Sequence, residues 1–181
     1  MLFKAIEFAA KAHSGQFRKA TNIPYIIHPL GVAKILIECG CSEEIVVAGV
    51  LHDTVEDTPA TLDQIRTEFG EQVAKLVQGA SEPNKKDIWE NRKRQFIESL
   101  KTASQDVLMV VIADKLDNIR SIRDDYAKMD EELWSHFSRP KVKQRWYFQS
   151  LVEVFANRLN REPGVSLLKE FQKEAEEVFT P

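Results

Sequence analysis

Apolar residues recur along this chain at three- and four-residue intervals, and nowhere settle into the two-residue alternation of a strand. Leu2, Ile6, Ala9, Ala10 and His13 follow helical spacing up to Gly15, and Pro29 can open a second helix through Val32, Ile35 and Leu36 towards Gly40. A third helix is expected from about Ser42 to Thr54. Thr61 with Gln64 is a capping-box pattern for a short helix ending at Gly70, and Val73, Leu76 and Val77 continue as another before Gly79. Residues 81–90, with Pro83, Asn84 and paired lysines, read as a loop, and Arg92 to Lys101 as a mostly exposed helix. A long helix is expected from about Gln105 to Arg123, then a polar segment, a helix near Val142 to Leu159, and an amphipathic terminal helix on Leu168, Phe171, Ala175 and Val178. The pattern predicts an all-α fold, a compact multi-helix bundle.

With 181 residues, 43% hydrophobic and 29% charged, the chain fits a single domain over 1–181 with a sizeable core. A formal net charge of -3 argues against a nucleic-acid partner or a polybasic membrane surface, so any anionic ligand must be met by a local basic pocket. Charges fall within the first turns and no run approaches the ~20 apolar residues of a membrane span, so a cytoplasmic protein is expected, with neither signal peptide nor membrane anchor. Cys39 and Cys41 are too close for a disulfide and lack a second pair for zinc, and are read as packing residues.

Chemistry concentrates in four stretches. In VLHDTVEDTP, Val50 to Pro59, an apolar run carries His52, Asp53, Glu56 and Asp57 towards the interior. On a helix, His52 and Glu56 lie one turn apart, as do Asp53 and Asp57, forming one polar patch. Three acids there need a cation or water, so the alternatives are a divalent metal site and a solvated helix end. In VLMVVIADKLDNIRSI, Val107 to Ile122, Asp114 interrupts an apolar helix, with Lys115 beside it and Asn118 a turn on; an ion pair or a metal ligand would each explain it. In PYIIHPL, His28 precedes Pro29 at a helix start, where an imidazole can cap, pack or ligate. In HSGQFRK, Arg18 and Lys19 are solvated by default, yet beside a metal they suit phosphate oxygens. His13 reads as core or as a support rather than a catalytic group.

HSGQFRK, PYIIHP, VLHDTVEDT, FGEQVAKLV and ADKLDNIRS, in that order and spacing, resemble the HD-superfamily hydrolase domain of RelA/SpoT proteins. The likeness covers Ala9 to Arg123 and is greatest to the stand-alone small alarmone hydrolases of the metazoan SpoT homologue type. It implies an all-helical domain that binds one Mn²⁺ and removes pyrophosphate from the 3′ position of (p)ppGpp, giving GDP or GTP. Carried over, the metal ligands are His28, His52, Asp53 and Asp114, and the catalytic pair is Glu56 and Asp57. Arg18, Lys19, Lys115 and Asn118 match positions lining the phosphate and nucleotide pocket, and Tyr25 one near the nucleoside.

Asp117 departs from the family, which often has His or Tyr there, and adds a negative charge near the metal. After Arg123 the match fades, and the segment Asp124 to Tyr147 is longer than in the best-known relatives. Within it, Lys143 and Tyr147 lie four residues apart and are expected to reach the base or the 5′-phosphates, whereas Trp134 and Trp146 are expected to pack.

On chemical grounds alone, two imidazoles and two carboxylates suit Mn²⁺ or another divalent first-row ion. Four protein ligands leave open positions only above tetrahedral coordination, which favours Mn²⁺ over a closed structural Zn²⁺ site. Glu56 is the candidate for activating water and Asp57 for handling a leaving-group proton or placing a basic group. Two alternatives stand beside alarmone hydrolysis: an HD phosphohydrolase acting on another nucleotide, a deoxynucleotide or NADPH, and a non-catalytic alarmone-binding module.

Overall fold

In the computed structural model, which describes residues 1–82 and 86–180, the longest element is α8, Gln105–Met129. Val107 to Asp114 are all buried, so this helix has no solvent face over its first half and can only sit in the middle of the molecule. Around it lie α1 (Leu2–Ala12), α2 (Ile27–Glu38), α3 (Glu43–Leu51), α4 (Thr54–Asp57), α5 (Leu62–Phe69), α6 (Glu71–Ala80), α7 (Trp89–Leu100), α9 (Lys141–Arg158) and α10 (Gly164–Phe179), with a 3-10 helix over Asp130–His136. Helices α2, α3, α6, α9 and α10 all pack on α8. No strand forms among the described residues, so the fold is an all-α bundle, and none of its helices is long and apolar enough to cross a membrane.

Helix α3 is buried from Ile45 to Leu51, and Gly49 lets it press against α2: a Cβ at that position would lie 2.5 Å from Leu36 Cδ1. Gly79 does the same between α6 and α8, where a Cβ would meet Val107 Cγ2 at 2.7 Å. The capping box at Thr61 and Gln64 forms as the sequence predicts, and Ser104 Oγ caps α8 by accepting from Val107 N at 3.3 Å. At the far end, α10 buries Leu168, Phe171, Ala175 and Val178, while its buried Glu174 takes a hydrogen bond from Arg123 at 2.6 Å.

Several boundaries differ from the sequence reading, three of them for reasons the packing makes plain. The helix expected to run from Ser42 to Thr54 ends at Leu51, and the chain turns through His52 and Asp53 before α4 begins. Side chains take over the carbonyls this break frees: His52 Nδ1 donates to Gly49 O at 2.7 Å and Thr54 Oγ1 to Leu51 O at 2.7 Å. Helix α7 starts at Trp89, earlier than Arg92, because Trp89 shares a buried face with Phe96, Ile97 and Leu100. Helix α8 continues past Arg123 to Met129, since Tyr126 and Met129 still pack on the core; Asp130, at φ 51°, then turns the chain into the 3-10 helix. Pro83 and Asn84 of the expected loop lie outside the described residues. Cys39 and Cys41 are free and partly buried against the core, Trp134 is buried, and Trp146 packs beside Trp89 with ring centroids 6.1 Å apart.

Candidate metal centre

Three elements bring the chemistry together. The start of α2 supplies His28, the break between α3 and α4 supplies His52 and Asp53, and the middle of α8 supplies Asp114. Both imidazoles are held through Nδ1. His28 Nδ1 lies 2.6 Å from Asp117 Oδ2 and His52 Nδ1 2.7 Å from the Gly49 carbonyl. Carbonyl and carboxylate oxygens only accept, so each Nδ1 carries the proton and each Nε2, in the neutral ring, presents a lone pair.

Those Nε2 atoms are buried, have no hydrogen-bond partner, and face anionic oxygens. Asp53 Oδ2 lies 3.1 Å from His52 Nε2 and 3.6 Å from His28 Nε2; Asp114 Oδ1 lies 3.2 Å from His28 Nε2 and 3.6 Å from His52 Nε2. Ligand atoms of His28, His52 and Asp114 all fall within 4.8 Å of one another, a His-His-Asp group that could hold a divalent metal. Lone pairs set against carboxylates repel unless a cation or a proton intervenes, so the donor set fits a metal ion. Without one, burial disfavours a charged His52, but Asp53 and Asp114 outweigh it and raise the imidazole pKa.

The carboxylates are themselves braced. Tyr25 OH donates to Asp53 Oδ2 at 2.5 Å. Asn118 Nδ2 donates to Asp114 Oδ1 at 2.5 Å, and Lys115 Nζ sits 2.7 Å from Asp114 Oδ2. Burial opposes ionisation of Asp114, yet Lys115 and His52 pull its pKa well below the ordinary carboxylate range. Arg18 Nη2 donates to Asn118 Oδ1 at 2.9 Å and its guanidinium lies 5.8 Å from the Tyr25 ring centroid, so the loop before α2 is tied to α8. His13 touches this network from behind: Nδ1 meets Gln16 Oε1 at 2.8 Å and the ring packs on Tyr25 at 4.7 Å.

Above the histidines opens a cavity of about 640 Å³. Arg18, Lys19, Tyr25, Asp53, Glu56, Asp57, Asp114, Lys115, Asn118 and Tyr147 all line it, so the structure gathers these sequence candidates on one wall system. Glu56 lies deeper than the exposed Asp57; its Oε2 accepts from Glu82 N at 3.0 Å, and burial, reinforced by Asp53, raises its pKa. Tyr147 OH is buried without a hydrogen-bond partner, and burial raises its pKa too.

Lys143 is a correction. Its side chain is exposed, 3.9 Å from Glu90, and lines a separate depression with Glu90, Arg94, Val142 and Trp146. Tyr147 is buried on the inner face of α9 with Gln144, Phe148 and Leu151, whereas Lys143, in the first turn of that helix, is exposed and drawn towards Glu90.

The sequence reading passed over several residues. Arg92, Lys93 and Glu82 line the cavity, with Lys93 ion-paired to Glu82, and this pairing lowers the Glu82 pKa against the opposing effect of burial. Asp117, read as a stray charge, is the partner of His28; its place one turn after Asp114 on the same helix was the available signal.

The chain is similar to several known proteins. The chain is 40% identical over 121 residues to the guanosine-3′,5′-bis(diphosphate) 3′-pyrophosphohydrolase of Aquifex aeolicus, an alignment covering 66% of this chain but only 17% of that longer protein. It is 44% identical over 124 residues to the mouse guanosine-3′,5′-bis(diphosphate) 3′-pyrophosphohydrolase MESH1, covering 67% of this chain and 69% of the relative. The solved structure of a metazoan orthologue of SpoT that hydrolyses ppGpp superposes with a TM-score of 0.78 at 26% identity, over 96% of this chain and 94% of that one. Since the HD domain family model also matches residues 5–141, this chain belongs to the HD-domain family.

Proposed function

We propose that the chain hydrolyses the 3′-pyrophosphate of (p)ppGpp in a metal-dependent reaction, giving GDP or GTP and pyrophosphate. The observation that carries this reading is the pair of buried, partnerless Nε2 atoms converging with Asp53 and Asp114 beneath a cavity lined by Arg18, Lys19 and Lys115. The names of the mouse and Aquifex relatives support the choice of substrate. His28, His52, Asp53 and Asp114 hold the ion, for which Mn²⁺ suits the mixed nitrogen and oxygen donors. When bound, the ion supplies Lewis acidity towards a phosphoryl oxygen and makes water more acidic.

The remaining work falls to side chains around it. Glu56 orients the attacking water and takes its proton, and its raised pKa makes it a better base than an ordinary carboxylate. Asp57, exposed at the cavity, places a basic group or relays a proton from solvent to the leaving oxygen. Arg18 meets phosphate oxygens as a fork, already aimed by Asn118, and Lys19 adds a point charge. Lys115 stabilises charge on the transferred group while neutralising Asp114. Tyr25 braces Asp53, and Tyr147 offers an unused hydroxyl to the nucleotide.

Two variants separate these roles. Asp114→Ala is expected to abolish both Mn²⁺ binding, read by calorimetry, and hydrolysis, whereas Glu56→Ala keeps the metal and lowers kcat by about 100-fold or more. An Asp114→Ala protein that retains metal and turnover contradicts the proposal.

A further inference from the structure

Gly31 and Asp117 face each other where α2 crosses α8. Gly31 follows His28 by one helical turn, and Asp117 follows Asp114 by one turn. A Cβ on residue 31 would overlap Asp117 Oδ1 and stand 2.9 Å from Asp117 Cγ, closer than real Cβ atoms approach a neighbour. The same carboxylate reaches His28 Nδ1 at 2.6 Å. No positive φ requires glycine at 31, which lies inside a regular helix where glycine is a poor residue.

We infer that Gly31 and Asp117 form a positioning device for the metal site, in which the missing side chain at 31 leaves room for the carboxylate that holds the His28 ring. The inference rests on the metal reading above and adds two residues that touch neither metal nor substrate. Asp117 accepts the Nδ1 proton, which fixes the tautomer and points Nε2 at Asp53 and Asp114. Its negative charge also makes the imidazole a stronger donor. The device explains why an acid is placed beside a site meant for anions: its charge is spent on His28 rather than displayed to the cavity, which Asp117 does not line.

The test is Mn²⁺ affinity of metal-stripped protein, measured by chelator competition, for wild type, Gly31→Ala, Asp117→Ala, Asp117→Asn and the Gly31→Ala/Asp117→Ala double variant. Gly31→Ala and Asp117→Ala should each weaken binding by about 10- to 100-fold, the usual effect of losing such a support. The metal-free Gly31→Ala protein should still fold and melt within a few degrees of wild type, because the helix propensity gained by alanine offsets the hydrogen bond lost at His28 and only the tip of Asp117 must move. With Asp117 truncated, the added methyl has nothing to displace, so the double variant should bind no more weakly than Asp117→Ala. Asp117→Asn keeps an accepting oxygen and should recover most of the affinity. Wild-type binding by Gly31→Ala, multiplicative losses in the double variant, or Asp117→Asn no better than Asp117→Ala would overturn the inference. Wild-type protein that takes up no Mn²⁺ overturns the metal reading itself, and this inference with it.

Discussion

Replacing Lys115 with methionine removes a buried ammonium while keeping most of its stem. Lys115 Nζ is 2.7 Å from Asp114 Oδ2, and at an effective dielectric near 20 such a pair attracts by about 6 kcal/mol. Desolvation returns part of that, and removing one partner of a buried pair costs about 3–5 kcal/mol because the other charge is stranded. The side chains are 14% and 6% exposed, so solvent screens this pair little. Burial works against a charged Lys115, but Asp114 overrides it and holds the ammonium pKa well above the ordinary lysine value. In chelator, Lys115→Met should therefore melt roughly 6–20 °C below wild type. Mn²⁺ should narrow that gap, since a divalent ion against Asp114 replaces the missing charge. Turnover should still fall, because a cation lining the cavity is gone. Melting curves with chelator and with Mn²⁺ decide the matter: a wild-type midpoint in chelator, or a gap that Mn²⁺ leaves unchanged, would refute the reasoning.

Further outcomes follow from the same geometry. Glu56 is needed as a carboxylate and burial raises its pKa above the ordinary glutamate value, so activity falls as pH drops through that raised value; the acid limb of kcat should lie above the ordinary carboxylate range in wild type and lose this component in Glu56→Ala. Arg18→Glu should raise KM for ppGpp by about 10-fold or more, through loss of a charge-assisted contact, and by less for a nucleotide with fewer phosphates, as steady-state kinetics on the two substrates would show.

Much of the bundle was legible because helical periodicity and its punctuation are local: the capping box at Thr61, the apolar first half of α8 and the amphipathic α10 each announce themselves within a dozen residues. The candidate ligands were legible for another reason. His52, Asp53 and Asp114 interrupt apolar runs, and an ionisable group in such a place needs an explanation. What stayed hidden is either a local choice that the apolar pattern does not signal or a neighbour far along the chain. Helix α3 looked longer because nothing local shows that His52 and Thr54 will cap its carbonyls. The stem of Lys143 turns outward because Tyr147, not Lys143, completes the buried face of α9. Nothing in the sequence singles out Gly31, and its role appears only when Asp117, 86 positions later, is seen against it.

The measurement that bears most directly on the central claim is chromatographic identification of products from purified protein and Mn²⁺ offered ppGpp, a deoxynucleotide panel and NADPH in parallel. The account predicts GDP and pyrophosphate from ppGpp, lost on chelation, with the other nucleotides left intact. Efficient cleavage of a deoxynucleotide or NADPH with ppGpp untouched, or binding of ppGpp without any cleavage, would contradict it.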